Sequence, residues 1–248
     1  MSLRVEREGA AAWIRWSRAE RLNAWDRATL AALGEALAEA GASDARAIVL
    51  QGEGGAFSAG DDLHETATLT PDQWAAALTG FNRLTREVVA APQPVIAAVD
   101  GVCVGGACEL AAACDLRVAS PGSRFGCPEV AIGLSISNGF SLLAPRAARR
   151  LVLTGELVSA EEARQVGLVD YVVEDVEAEA RRLVERIAAL APLAVAGSKR
   201  LLDIGEREAL ERALEREAAL CEQLFETADA HEGLAAFLEK RPPGFQGR

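Results

Sequence analysis

A glutamate at position 109 stands in an apolar stretch, Gly-Gly-Ala-Cys-Glu-Leu-Ala-Ala-Ala-Cys (105–114), with no cationic neighbour in sequence. Glutamate is almost never fully buried without a partner, and loss of hydration raises the pKa of a carboxyl group toward the range useful for acid and base catalysis. The pattern therefore predicts a catalytic role for Glu109. A structural carboxylate that accepts hydrogen bonds from backbone amides is the open alternative.

A second glutamate, Glu129, follows Pro128 in the stretch Arg-Phe-Gly-Cys-Pro-Glu-Val-Ala-Ile-Gly (124–133). The proline fixes the local direction of the backbone, and the apolar neighbours again predict a poorly hydrated carboxyl group. Two glutamates in one pocket could hold a water molecule and a substrate carbon between them. The pair therefore favours acid/base chemistry, provided that the fold brings Glu109 and Glu129 together.

Two glycine-containing loops, one ending in Ser-Ala-Gly-Asp-Asp (58–62) and one at Gly-Gly (105–106), each follow an apolar run that predicts a buried strand. Open α/β sheets bind ligands beyond the ends of their strands. Glycine lets backbone N–H groups point outward, and two such donors could stabilise a developing oxyanion where water is excluded. The alternative is that both loops only turn the chain.

Alternating runs and glycine or proline breaks predict the elements that must position these residues. Strands separated by helices imply crossover connections and a layered α/β core, for which we predict residues 1–173, followed by a helical region over 174–248. The predicted elements are a β-hairpin over 3–16, strands 47–50, 94–99, 116–119 and 169–173, helices from about 27 to 40, 71–90 and 106–114, and helices over 174–239 broken at Pro192 and Gly205.

Composition excludes several classes of protein. The 248 residues are 50% hydrophobic with a net charge of −11, which fits a buried core and disfavours a nucleic-acid partner. No run approaches the roughly 20 apolar residues of a bilayer span. The first residues lack the apolar core of a signal peptide, and the five cysteines include no Cys-x-x-Cys pair. We therefore expect a cytoplasmic protein that does not bind membranes.

Three stretches resemble the enoyl-CoA hydratase/isomerase (crotonase) family: Ala-Phe-Ser-Ala-Gly-Asp-Asp-Leu-His-Glu (56–65), Gly-Val-Cys-Val-Gly-Gly-Ala-Cys-Glu-Leu (101–110) and Phe-Gly-Cys-Pro-Glu (125–129). Further matches at 21–24, 153–156 and 237–245 extend the resemblance over nearly the whole chain. It implies an α/β spiral of β-β-α turns with a C-terminal helical trimerisation region, and a homotrimer or a dimer of trimers. It also implies an acyl-CoA substrate with no further cofactor, since coenzyme A is part of the substrate.

The resemblance also implies roles for individual residues. The backbone N–H groups of Asp61 and Gly106 would bind the thioester carbonyl, while Glu109 and Glu129 would activate one water molecule for addition at C3, with Glu129 delivering a proton to C2. The implied reaction is reversible syn hydration of a trans-2-enoyl-CoA to a 3-hydroxyacyl-CoA. The residues expected along the coenzyme A path are Ala24, Ala59, Leu63 and His64. His64 has no second ligand at metal spacing, so no metal site is predicted.

The segment 134–145 departs from the usual glycine-rich run of the hydratases, and lysines are absent where relatives often place them beside the coenzyme A phosphates. Arginines such as Arg21, or one from a neighbouring subunit, would then bind the phosphates. The residues expected at the acyl pocket are Trp74, Ile136 and Asn138. Two alternatives remain open: an isomerase or dehydratase acting on a branched or cyclic acyl-CoA, and a non-catalytic acyl-CoA-binding trimer.

Overall fold

Two β-sheets form the framework of the protein. The computed structural model describes residues 2–144, 146–203 and 207–248. The strands are β1 (Ser2–Glu8), β2 (Ala11–Ser17), β3 (Ala47–Gly52), β4 (Ala56–Ser58), β5 (Val95–Val99), β6 (Val102–Val104), β7 (Leu116–Ala119), β8 (Arg124–Gly126), β9 (Val158–Ser159) and β10 (Tyr171–Val172). The larger sheet has the order β1-β2-β3-β5-β7-β10 and the smaller one the order β4-β6-β8-β9.

Helices connect these strands and complete the chain. They are α1 (Arg27–Ala42), α2 (Leu63–Thr66), α3 (Pro71–Ala90), α4 (Gly106–Ala113), α5 (Phe140–Leu143), α6 (Arg149–Thr154), α7 (Ala160–Gln165), α8 (Val176–Ala188), α9 (Pro192–Asp203), α10 (Arg207–Phe225) and α11 (Ala228–Glu239). Short 3-10 turns lie at Ala19–Arg21, Pro128–Ile132 and Arg146–Ala148. No helix within the described ranges has the length and apolar character needed to cross a bilayer.

The chain climbs through the two sheets as a spiral. Strands β3, β5 and β7 pair in parallel in the larger sheet, and β4, β6 and β8 pair in parallel in the smaller one. Each turn therefore adds one strand to each sheet. Parallel neighbours in one sheet need a crossover. The chain passes from β3 to β5 through β4 and α3, and from β5 to β7 through β6 and α4. The predicted α/β spiral of β-β-α turns is confirmed.

Both faces of the larger sheet are buried, which explains why its inner strands are apolar without alternation. Ile48 and Leu50 of β3 pack on one face with residues of α1 and α3. Val49, on the same strand, packs on the other face, against residues of α8 such as Val184. Helix α8 thus covers the sheet, although it lies in the predicted helical region; the division into 1–173 and 174–248 stays a prediction.

The predicted elements agree closely with the structure, with a few shifts at their ends. Helix α1 begins after the N-cap Asp26 but continues past Gly41 to Ala42. The late strand, predicted over 169–173, is only Tyr171–Val172. The predicted break at Pro192 is present, whereas Gly205 lies outside the described residues. A further break before α11, capped by the hydroxyl of Thr227, was not predicted.

Candidate active site

A cavity of about 530 Å³ lies between α3, the first turn of α4 and the segment that follows β8. Its walls are mainly apolar, and a few polar side chains converge on it, as in typical small-molecule sites. Three of these carry carboxyl groups: Asp61, Glu109 and Glu129. The main apolar lining residues are Leu22, Leu63, Trp74, Leu78, Phe81, Ile132, Leu134 and Phe237.

Glu109 lies on α4, is only 1% exposed and reaches the cavity wall. Its Oε1 accepts a hydrogen bond from the backbone N–H of Ser137 at 2.7 Å, and its Oε2 accepts bonds from Ser137 Oγ at 3.0 Å and Asn138 Nδ2 at 2.5 Å. Burial raises the pKa of Glu109 well above its usual range, and the charge of Glu129 adds to this effect. Glu109 thus has one feature of a structural carboxylate, because a backbone amide donates to it. The same carboxyl group also lines the cavity, as a catalytic group would.

Glu129 lies on the 3-10 turn that Pro128 begins, and its Oε2 is buried without a hydrogen-bond partner in the described structure. Burial raises the pKa of Glu129 to about 8, and the charge of Asp61 contributes to the rise. One carboxylate oxygen of Glu109 and one of Glu129 lie within 4.8 Å of each other. A water molecule that bonds to both at about 2.7 Å fits such a separation.

The two glycine-containing loops meet beside these glutamates. At Gly60, whose φ is +80°, an added Cβ would lie 2.7 Å from the carbonyl oxygen of Val104 and 3.2 Å from the nitrogen of Gly106. The contact between the loops therefore requires a residue without a side chain at position 60. Glu129 lies on the same side, because a Cβ at Gly105 would be 3.3 Å from its Oε1.

Two backbone amides are left free at this contact. Trp25 bonds to both neighbours of Asp61, through Trp25 N to Gly60 O and Asp62 N to Trp25 O. Gly106 is the first residue of α4, so its N–H has no acceptor within the helix. Across the described chain, neither the Asp61 N–H nor the Gly106 N–H donates to another residue. Such a pair of donors is the kind of arrangement that binds a developing oxyanion.

Of the four residues predicted along the coenzyme A path, two line the cavity, one is buried nearby and one is exposed to solvent. Ala59 and Leu63 line the cavity. Ala24 is buried nearby. The loop that carries it is bonded to the loop that carries Ala59, since Ala59 N donates to Leu22 O. His64 is exposed to solvent at the start of α2.

The three residues predicted at the acyl pocket lie in different places. Trp74 lines the cavity, but Ile136 lines a different one, with Phe140, Arg149 and other residues. Asn138 is buried with its amide nitrogen on Glu109, so it orients a carboxyl group and does not form the pocket wall. Segment 134–138 has no regular structure, so no periodicity fixes which side chains face the cavity.

Several residues of the site were not predicted. Leu78 follows Trp74 by one helical turn, and this spacing could have revealed it. Ser137, which donates twice to Glu109, and Cys221 and Phe237 from the C-terminal helices carry no local sequence signal of their role. They reach the site only because distant segments fold back onto it.

The same group of side chains offers donor atoms to a cation. Atoms of Glu109, Cys127 and Glu129 lie within 4.8 Å of one another, and carboxylate and thiolate are ligands that zinc accepts. Both oxygens of Glu109 already accept hydrogen bonds from Ser137 and Asn138. The absence of a metal site stays a prediction from the sequence.

The spiral through two mixed sheets, with paired glutamates and free amides in one apolar cavity, defines a crotonase-fold protein. The chain belongs to the enoyl-CoA hydratase/isomerase family, whose model matches residues 6–248. It is 34% identical to a short-chain-enoyl-CoA hydratase of Clostridium acetobutylicum (98% of this chain, 97% of the relative) and 36% identical to a cyclohexa-1,5-dienecarbonyl-CoA hydratase of Thauera aromatica (98% and 96%). A solved enoyl-CoA hydratase/isomerase of Pseudoalteromonas atlantica superposes with a TM-score of 0.89 at 32% identity, covering 99% of this chain and all of the other.

Proposed function

We propose that this protein is an enoyl-CoA hydratase, which adds water reversibly to the C2=C3 bond of a 2-enoyl-CoA to give a 3-hydroxyacyl-CoA. The observation that carries the proposal is the meeting of the buried Glu109 and the half-buried Glu129, with oxygens within 4.8 Å, beside two free backbone amides. The names of the two relatives, both hydratases of CoA thioesters, support the same reaction.

The backbone donors of Asp61 and Gly106 would form an oxyanion hole. The thioester carbonyl would accept both hydrogen bonds, and the enolate that develops when water adds to C3 would be stabilised most strongly. Donors fixed in advance in an apolar cavity contribute several kcal/mol to such a step. Because the backbone supplies them, the side chain at position 61 is free to vary.

The two glutamates would divide the proton transfers. A water molecule held between Glu109 and Glu129 would lose a proton to a carboxylate as its oxygen bonds to C3, and Glu129 would deliver a proton to C2. The net change is one hydroxyl on C3 and one hydrogen on C2, which balances the added water. The pKa of Glu129, raised to about 8, favours delivery of a proton from this group near neutral pH, and the pKa of Glu109 is raised as well.

The cavity supports an apolar acyl group, since Trp74, Leu78 and Leu134 form its walls. For the coenzyme A phosphates, the exposed side chains of Arg21 and His64 lie on the segments that carry Leu22 and Leu63 of the cavity wall. A homotrimer or a dimer of trimers would cover exposed leucines of α9, such as Leu193, which is 87% exposed. A cytoplasmic location and the absence of a further cofactor stay predictions.

The substitutions Glu109→Gln and Glu129→Gln test the proposal. Each should lower the hydration rate by about 10²–10⁴-fold, the usual effect of losing an acid or base. Loss of the conjugated enoyl-thioester absorbance measures the rate. Glu222→Gln, at an exposed position of α10, is the control and should retain activity. Unchanged rates in both active-site variants would refute the proposal.

Asp61 favours a second candidate, double-bond isomerisation, because it adds a third carboxyl group to the cavity wall. The same assay in heavy-oxygen water separates the two reactions. Hydration places the label on C3, whereas isomerisation incorporates none. Binding of acyl-CoA without turnover by the unmodified protein would instead favour the non-catalytic acyl-CoA-binding trimer.

A further inference from the structure

The donors that orient Glu109 lie on a segment without regular structure. Ser137 and Asn138 supply all three of the hydrogen bonds described for this carboxyl group. Asn138 also has a φ of +59°, in the left-handed region that few residues other than glycine adopt. Asparagine tolerates this region better than most residues, but a segment without helix or strand hydrogen bonds still depends on contacts from outside it.

Two buried side chains provide such contacts. Glu217 of α10, only 7% exposed, accepts hydrogen bonds from Gly139 N at 2.6 Å and from Ser141 N at 2.9 Å. Thr85 of α3 donates its hydroxyl to the carbonyl oxygen of Asn138 at 3.0 Å. The backbone around Asn138 is thus fixed from two helices, and the bonds to Glu217 are the stronger type because its carboxylate is charged.

Glu217 has an unusual environment for a purely structural residue. No arginine or lysine pairs with it among the described ion pairs, and it does not line the cavity. Burial raises the pKa of Glu217 above its ordinary value. A carboxylate that is desolvated without a cation is costly, so its two amide partners must make up for this cost.

We propose that Glu217 is a positioning residue of the hydratase site: it fixes the turn at 139–141, which in turn sets the donors of Ser137 and Asn138 on Glu109. The inference rests on the proposed hydratase function. Its consequence is that Glu217 affects catalysis only through Glu109, at a distance and without touching the substrate.

The first test compares Glu217→Gln with Glu211→Gln. The glutamine removes the charge and can accept only one of the two amide bonds, so we expect kcat to fall about 10- to 100-fold with KM changed by less than about 3-fold, as for a small misplacement of a catalytic group. Glu211 is the matched control, because it lies on the same helix and also bonds to α3, through Arg86, but does not contact the segment. The control should retain the kcat of the unmodified protein.

The second test is a double-mutant cycle with Glu109→Gln. If Glu217 acts through Glu109, adding Glu217→Gln to Glu109→Gln should change kcat by less than about 2-fold, because the effects of coupled residues are not additive. A further fall in kcat of about 10- to 100-fold in the double variant, as large as that expected for Glu217→Gln alone, would overturn the positioning role. Failure of the hydratase proposal itself gives a different result, namely no effect of Glu109→Gln alone.

The pH profile provides a readout that a loss of stability would not move. The ionisable groups near Glu109 are Glu129, Cys127, and Cys221 and Glu217 of α10. Glu217→Asp keeps the charge but shortens the reach, so it should weaken the hydrogen bonds from Ser137, which lower the pKa of Glu109, and shift the kcat profile governed by Glu109 to higher pH. An unshifted profile would contradict the proposal. If Glu217→Gln does not fold, the double-mutant cycle with Glu217→Asp decides the question.

Discussion

At the scale of single residues, the cavity concentrates three carboxyl groups whose pKa values are raised by desolvation. Asp61 joins Glu109 and Glu129 at the cavity wall. Burial raises the pKa of Asp61 to about 7, and the nearby charges of Asp62 and Glu65 contribute. Sites of this kind trade stability for groups that exchange protons near neutral pH.

Replacing Asp61 with asparagine should make the protein more stable, and more so at higher pH. The unfolded aspartate ionises near about pH 3.9. Between there and about pH 7 only the unfolded state loses its proton, so the free energy of unfolding falls as pH rises, and the loss is complete above pH 7. Thermal unfolding should therefore show a larger gain for Asp61→Asn at pH 8 than at pH 5.

The control for this measurement is Asp44→Asn, where the side chain is 96% exposed. The Asp61→Asn variant should keep its hydration activity within about 10-fold of that of the unmodified protein. The proposed oxyanion donor at this position is the backbone amide, which the substitution leaves in place and whose loss would cost more. An equal gain in stability at both pH values would contradict a raised pKa of the Asp61 carboxyl group.

At the scale of elements, α3 and α4 set the geometry of the site by packing closely. Trp74, Leu78 and Phe81 line the cavity from successive turns of α3. A Cβ on Gly106, the first residue of α4, would lie 2.5 Å from Cε1 of Phe81. The position of the free Gly106 amide therefore depends on a residue that leaves room for the aromatic ring.

Gly106→Ala should destabilise the protein by about 1–3 kcal/mol, the usual cost of overpacking a core, and it should lower the hydration rate because the amide is displaced. Chemical unfolding and the absorbance assay measure the two effects. Gly197→Ala in α9 is the matched control, since its Cβ would meet nothing within 4 Å. The control should be neutral or more stable by about 0.5–1 kcal/mol. Equal stability of the two variants would contradict the tight contact.

At the scale of the whole molecule, a buried lysine attaches the C-terminal helices to the sheet. Lys199 of α9 is 7% exposed and donates to Val88 O at 3.0 Å, Gln93 O at 3.1 Å and Asp115 Oδ2 at 2.7 Å. The same oxygen of Asp115 accepts the backbone N–H of Val95 at 2.7 Å. All three donors of the ammonium group are thus satisfied.

Lys199→Met should lower the free energy of unfolding by about 3 kcal/mol, because it leaves a partly buried carboxylate without its cation. Urea unfolding measures the change. Arg164→Gln, which breaks an exposed ion pair with Glu161, should have no measurable effect and serves as the control. Since Lys199 does not line the cavity, kcat of the folded variant should be unchanged. A loss as small as that of the control would show that α9 is held by its apolar contacts alone.

The sequence by itself determined the strands of the larger sheet, the long helices and the identity of the two glutamates, whereas it did not indicate the short strands of the smaller sheet. Helix α3 runs over the predicted residues because Pro71 and the capping residues Thr70 and Gln73 define its start locally. The apolar surroundings of Glu109 and Glu129 likewise indicated poorly hydrated carboxyl groups. Such features depend on neighbours within a few residues, and hydrophobic periodicity and capping report them directly.

Only the tertiary structure decided how these elements assemble into a site. It brought Glu129 to Glu109, turned Ser137 and Asn138 toward Glu109, and directed Ile136 into another cavity. Glu217 and Cys221 entered from a helix far along the chain. In a segment without helix or strand period, the direction of each side chain follows from long-range packing and hydrogen bonds, which leave no local pattern in the sequence.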